Sequence, residues 1–330
     1  MNIVALAGGV GGAKLADGLA ECLTPSPSSP ALPPSLNSAT GEGSRLTVIV
    51  NTGDDFDLMG LRICPDLDTV MYTLAGVANP QTGWGIAGDT FEALGMFQKL
   101  GGETWFHVGD RDLAIDVHRT QFLREGKRLT EVTAWLSHSL GIPPNVHILP
   151  MTDAPVATLV DTDEGILAFQ DYFVRRAWQP VIRRIQFMGI ERARPSIEVR
   201  AALGAADLIA LCPSNPFVSI DPILALDGVR EQLREHRTVA VSPLIGGQAV
   251  KGPAAKMFRE LGQEPTALAV ARHYADFLDG FVIDQADADQ RAEIERLNTR
   301  VFVTDTLMRN TADRARLARE VLGFARTVPA

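Results

Sequence analysis

The run Asn2–Leu23, NIVALAGGVGGAKLADGLAECL, decides the fold. Asn2–Leu6 reads as a short buried strand, Ala7–Gly12 (AGGVGG) as a glycine turn, and Lys14–Leu23 as an amphipathic helix. Glycines in such a turn let backbone N–H groups approach an anion at the helix N-terminus. The loop matches neither common phosphate fingerprint. Lys14 stands where a G-x-G-x-x-G pattern from Gly9 needs its third glycine, and, counted from Gly8, Ala13 and Leu15 replace the second glycine and the Ser/Thr of a P-loop. A phosphate cradle at Gly9, Gly11, Gly12 and Lys14 and a merely tight turn are both open at this point.

The same grammar recurs. Leu46–Val50 runs into Asn51–Thr69, NTGDDFDLMGLRICPDLDT, which carries Asp54, Asp55, Asp57, Asp66 and Asp68. Carboxylates this dense repel one another, so they sit either in water as an acidic surface loop or around a cation. Asp207–Leu211 breaks at Cys212–Pro216 (CPSNP), and Thr238–Val241 breaks at Ser242–Gly247 (SPLIGG). Strands are expected further on at Gly280–Asp284 and Val301–Thr304. Helices are expected at Asp68–Ala75, Thr90–Leu100, Ser196–Ala205, Asp221–Glu235 and from Asp287, with Pro253 near another helix start. Strands separated by helices make an α/β, doubly wound, mostly parallel Rossmann-like sheet, whose ligands bind outside the carboxyl ends of the strands. The glycine loop, Asn51–Asp57, the Ser214/Asn215 pair and the Ser242–Gly246 loop should therefore meet at one edge. Backbone donors and hydroxyls beside acidic groups suit a phosphorylated ligand held with Mg²⁺.

Between the halves of this core, residues 1–113 and 196–330, the stretch 114–195 reads as a smaller inserted α+β subdomain. It has helices at Ala114–Gln121 and Thr130–Leu140, shorter strands at Val146–Pro150, Val156–Val160 and Gly165–Tyr172, and a solvated face carrying Arg175–Arg176 and Arg183–Arg184. Trp105–Asp112 (WFHVGDRD) reads as a strand ending in a glycine turn, with Asp110 and Asp112 bracketing Arg111 as a candidate internal ion pair. Trp84, between two glycines, is either a stacking platform for a planar ring or a cover for the core edge. Thr24–Ser44, with five prolines, reads as a flexible insertion.

With 330 residues and 46% hydrophobic content the chain can bury a large core. The net charge of −9 argues against a nucleic-acid surface. Three scattered cysteines read as reduced thiols. No signal peptide or membrane span is legible, so a cytoplasmic protein without membrane contacts is expected. A homodimer is the default expectation.

The ordered motifs Gly8–Lys14 (GGVGGAK), Cys64–Thr69 (CPDLDT), Gly83–Gly85 (GWG), Asp89–Phe91 (DTF), Gly109–Asp112 (GDRD), Pro213–Pro216 (PSNP), Ser242–Gly246 (SPLIG) and Asp305–Met308 (DTLM) closely resemble the CofD family, which builds the deazaflavin coenzyme F420. The resemblance implies that the ribityl hydroxyl of the deazaflavin Fo attacks the acid-bearing phosphorus of a guanylylated phospho-acid, 2-phospholactate or phosphoenolpyruvate, and releases GMP. The strand-end residues Gly9, Gly11, Gly12, Lys14, Asn51, Ser214, Asn215, Ser242 and Gly246 are then expected to hold the GDP moiety and Trp84 to stack on the deazaflavin, and the resemblance implies further deazaflavin contacts at Asp68 and His107. It also puts Asp68 at the deazaflavin and metal position with Asp54 or Asp55 as a second acidic contributor, so Mg²⁺ is expected at Asp54, Asp55 and Asp68, and an aspartate of this cluster, Asp68 or Asp55, is expected as the general base. One alternative is a non-enzymatic nucleotide-sugar-binding regulator, which would not need CPDLDT or the Trp84 loop. The other is an NAD-dependent oxidoreductase, disfavoured by Lys14 and by the lack of a single acidic ribose ligand after the second strand.

Overall fold

A computed structural model describes residues 1–23 and 43–329. The flexible insertion expected at Thr24–Ser44 thus falls, from 24 to 42, outside the described residues. In chain order the strands are β1 (Asn2–Ala7), β2 (Arg45–Val50), a hairpin of β3 (Phe56–Leu58) and β4 (Leu61–Ile63), β5 (Val146–Pro150), β6 (Ala157–Thr162), β7 (Gly165–Ala168), β8 (Ile182–Met188), β9 (Leu208–Leu211), β10 (Thr238–Val241), a short pair β11 (Leu244–Ile245) and β12 (Gln248–Ala249), β13 (Gly280–Asp284) and β14 (Arg300–Thr304). The helices needed below are α1 (Gly9–Leu23), α2 (Pro65–Leu74), α3 (Glu92–Lys99), α4 (Asp110–Arg124) and α5 (Leu129–Ser139).

Seven strands form one parallel sheet in the order β14-β13-β10-β9-β1-β2-β5. After its first residue β1 is wholly buried, as is β2, because helices cover both faces of the sheet. Alternate side chains separate cleanly: Val4, Leu6, Ile49 and Ile209 enter one core, and Ile3, Ala5, Val48 and Ala210 the other. The strand order grows in one direction from β1 through β2 to β5 and in the other from β9 to β14. The switch point therefore lies between β1 and β9, where a doubly wound sheet opens its ligand crevice. Register places Ala7 beside Val50 and Leu6 beside Leu211, so the loops after these three strands leave the sheet at the same level.

Several elements differ from the sequence reading. Val146–Pro150 is not a strand of the inserted part: it pairs with β2 as the edge of the main sheet. What remains apart is the antiparallel β7-β6-β8 sheet, and Arg183–Arg184 lie on β8, a strand the charged pattern concealed. Trp105–Val108 is not a strand; its aromatics pack on the β3–β4 hairpin instead of pairing in a sheet. The helix expected over Asp221–Glu235 breaks at Gly228, whose φ of 80° is left-handed, leaving Asp221–Leu224 and Val229–Glu235. α2 begins at Pro65, earlier than the polar pattern suggested, which puts Asp66 and Asp68 in its first turn. A further helix, Thr311–Ala325, packs along α1, and Gly18 permits the contact: a Cβ there would lie 2.2 Å from the Arg314 carbonyl oxygen.

Candidate active site

The strand-end loops are locked into one seam. The Gly8 N–H donates to Ser214 Oγ at 3.1 Å, and that hydroxyl donates back to the Gly8 carbonyl at 2.9 Å. The Gly9 N–H donates to Asp66 Oδ1 at 2.6 Å, with Gly9 at φ 61°. Asn51 Nδ2 bridges Asp54 Oδ1 (2.8 Å), Asp66 Oδ2 (3.0 Å) and the Val218 carbonyl (3.2 Å), while its Oδ1 accepts from the Gly53 N–H at 2.8 Å. Glycines are needed here for close approach. A Cβ on Gly11 would sit 2.4 Å from the Pro213 carbonyl oxygen, and one on Gly12 2.5 Å from Ser214 Oγ.

Of the five clustered aspartates only Asp57 is in water, paired with Arg62 at 3.3 Å. Asp54, Asp55, Asp66 and Asp68 are buried. Asp54 Oδ2 accepts from Gln170 Nε2 at 3.2 Å. Burial first, then the neighbouring Asp66 and Asp55 charges, holds the Asp54 carboxyl well above its usual range. Burial likewise raises Asp66 to about 6, against the pull of the Asn51 amide and the Gly9 N–H. Asp55 is the outlier: both its oxygens are buried without a hydrogen-bond partner among the described residues. Burial pushes it to about 7, opposed by Arg62, the adjacent Cys64 thiol and Arg119.

Asp68 is engaged differently. Arg119 Nη2 on α4 clamps its Oδ1, while Arg119 Nη1 reaches Asp116 Oδ1 at 2.5 Å and the Arg62 carbonyl at 3.3 Å. Beside them the Tyr72 hydroxyl donates to Asp112 Oδ1 at 2.5 Å, and burial, with the Asp68 charge, raises Asp112 to about 7. The sequence reading missed Arg119, Asp116 and Tyr72, and gave Asp112 only as a candidate ion-pair partner of Arg111. A signal was present, because Asp112, Asp116, Arg119 and Thr120 recur at helical spacing along one face of α4, where an ordinary surface helix would be apolar.

The motifs DTF and GDRD prove to be reciprocal helix caps. Asp110 accepts from the Glu92 and Ala93 N–H groups at 3.1 and 3.0 Å, and Asp89 from those of Arg111 and Asp112 at 2.9 and 3.2 Å. Arg111 reaches the Ala87 carbonyl, so the expected Arg111 ion pair does not form among the described residues. Trp84 is 44% exposed, in a loop fastened by Lys251 Nζ to the Thr82 carbonyl at 2.5 Å. His107 is exposed and meets Phe91 edge to face at 6.2 Å, next to α3, which buries none of its residues.

The remaining predicted GDP contacts have internal partners. Lys14 Nζ donates to the Met308 carbonyl at 2.9 Å, and burial, then Arg314 and Lys251, lowers its pKa. Asn215 caps the turn at Pro216 through Phe217 N, Ser242 closes on Leu244, and the Gly246 N–H donates to Asp287 at 3.0 Å. No three His, Cys, Asp or Glu among the described residues form a metal cage. Asp54 has a hydrogen bond on each oxygen and Asp68 one on Oδ1, whereas both Asp55 oxygens are buried without one among the described residues.

Fold and crevice together define a doubly wound α/β protein with polar loops and buried acids gathered at the switch point of its sheet. The chain belongs to the CofD family, whose profile, described as 2-phospho-L-lactate transferase CofD, matches residues 3–321; it is a transferase of that type. It is 38% identical to the 2-phospho-L-lactate transferase of Methanosarcina mazei, over 97% of this chain and 99% of that one. It is 40% identical to the phosphoenolpyruvate transferase of Streptomyces griseus, over 100% of both chains. It is also 42% identical to the phosphoenolpyruvate transferase of Thermobifida fusca, over 88% of each chain. A UPF0052-family protein from Bacillus halodurans shares the fold, with a TM-score of 0.58 at 14% identity over 97% of this chain and 98% of that one. No helix among the described residues is long and apolar enough to cross a membrane.

Proposed function

We propose that the chain transfers a phospho-acid group, 2-phospholactate or phosphoenolpyruvate, from its guanosine diphosphate ester to the ribityl hydroxyl of Fo, in coenzyme F420 biosynthesis. The observation that carries this reading is the seam itself. Loops suited to a diphosphate abut a buried acidic pocket, beside an exposed aromatic loop suited to a planar ring. The hydroxyl oxygen attacks the acid-bearing phosphorus, the bridging P–O bond to the nucleotide breaks, and GMP leaves with that oxygen. Asp68 takes the hydrogen bond and then the proton of the attacking hydroxyl. Burial raises the proton affinity of Asp68 against the pull of Arg119, and phosphoryl transfer passes through a loose transition state that asks mainly for positioning.

The pocket fits a hard divalent ion. Asp55 has two buried oxygens without partners, and Asp54 is repelled by Asp55 and Asp66. Mg²⁺ takes one or two carboxylates and completes its shell with phosphate oxygens and water. Asp54 and Asp55 would hold it, and when bound it would offset negative charge on phosphorus. The experiment is to incubate the protein with Fo and, separately, with the guanylylated forms of 2-phospholactate and phosphoenolpyruvate. A product heavier than Fo by one phospho-acid less one water, with equimolar GMP, is expected from at least one donor. Unchanged Fo with both would overturn the reading.

A further inference from the structure

We propose that Arg119 is a positioning residue for the transfer: its guanidinium sets the Asp68 carboxylate in place for the acceptor hydroxyl. This rests on the function proposed above. Arg119 is fully buried and fastens three segments at once: α2 through Asp68, its own helix through Asp116, and β4 through the Arg62 carbonyl. Its planar fork presents two donors at a fixed angle, which a flexible lysine cannot reproduce. The helix that carries it is itself placed by the reciprocal Asp89 and Asp110 caps, so the register of α4 transmits directly to Asp68.

Stability alone does not account for the arrangement. One buried guanidinium stands against two buried carboxylates, Asp68 and Asp116, with the Tyr72-bonded Asp112 beside them on the same helix. Buried ion pairs are commonly matched or bettered by apolar packing of equal volume, and an excess of buried acid makes this one costlier still. A device that costs stability beside a reactive carboxylate is explained by what it holds in place.

The test compares wild type with Arg119→Lys, each alone and in the Asp68→Asn background. The readouts are calorimetric affinity for Fo, affinity for GDP, and the separate KM values for acceptor and donor. Arg119→Lys should keep GDP affinity within about twofold and weaken Fo affinity or transfer by about 10–100-fold, as for other residues that orient a site ligand. In the Asp68→Asn background the same change should have no further effect, because Arg119 acts through Asp68. Equal losses for GDP and Fo, unaltered Fo binding and transfer, or a full additional loss beside Asp68→Asn would each overturn the proposal. Should Arg119→Lys fail to fold, Asp116→Ala removes the side-chain acceptor of one arm of the fork and must show the same acceptor-selective loss. A wild-type protein that transfers nothing refutes the proposed function instead, whereas an active wild type with an indifferent Arg119 variant refutes only the positioning role.

Discussion

At the scale of single residues, the acidic stretch divides into side chains with different duties. Asp55 is buried without a hydrogen bond to either oxygen among the described residues, and burial outweighs the nearby Arg62, Cys64 thiol and Arg119 to raise it to about 7, so its negative charge opposes folding. Asp55→Asn should therefore leave stability unchanged or raise it by about 1–3 kcal/mol at pH 8 while abolishing most transfer, as thermal melts and a transfer assay would show. A variant that melts earlier than wild type would mean that Asp55 has an internal partner. Asp112 gives a pH signature. Its carboxyl is raised to about 7 in the fold, against about 3.9 unfolded. The native state thus binds the proton more tightly, and the stability this contributes is present below pH 4 and lost as pH rises through 7. Asp112→Asn keeps an acceptor for the Tyr72 hydroxyl and removes the titration. Its melting temperature should match wild type near pH 4 and exceed it at pH 8.

At the scale of elements, the strand ends were legible because buried parallel strands are continuous apolar runs, and the residues just past them turn abruptly small and polar. Ala7 to Gly8, Val50 to Asn51 and Leu211 to Cys212 all obey this. Both the strand Val146–Pro150 and a helix over Ala114–Gln121 were legible, but the remote segments they pack against were not. β5 looks like any short strand until β2 is beside it, and the buried residues of α4, Asp116, Arg119 and Thr120, are all polar. The glycine loop belongs to this scale, since Gly11 serves the packing of α1 against the Pro213 loop. Gly11→Ala places a Cβ 2.4 Å from the Pro213 carbonyl oxygen and should cost about 1–3 kcal/mol, seen as a lower denaturation midpoint. The same variant should lose GDP affinity, because the two loops must part to admit the methyl group.

At the scale of the whole molecule, the parallel order β14-β13-β10-β9-β1-β2-β5 collects segments more than 150 residues apart into one crevice. Ligands of that crevice should stabilise the entire fold. GDP with Fo at a hundredfold excess over its dissociation constant should add about 2.7 kcal/mol, and a UDP-sugar or NAD nothing comparable. A UDP-sugar response alone would favour a regulatory relative over a transferase. The sequence by itself determined the α/β class, the strand-end loops and the aspartates, because periodicity and turn chemistry are local properties of the chain. Only the tertiary structure decided which of those aspartates are paired. It brings Arg119 onto Asp68, 51 residues away, sets Asn51 between Asp54 and Asp66, and leaves both Asp55 oxygens without a hydrogen bond among the described residues. Charge partnership depends on distance in space and on burial, and neither is written in the spacing of residues along the chain.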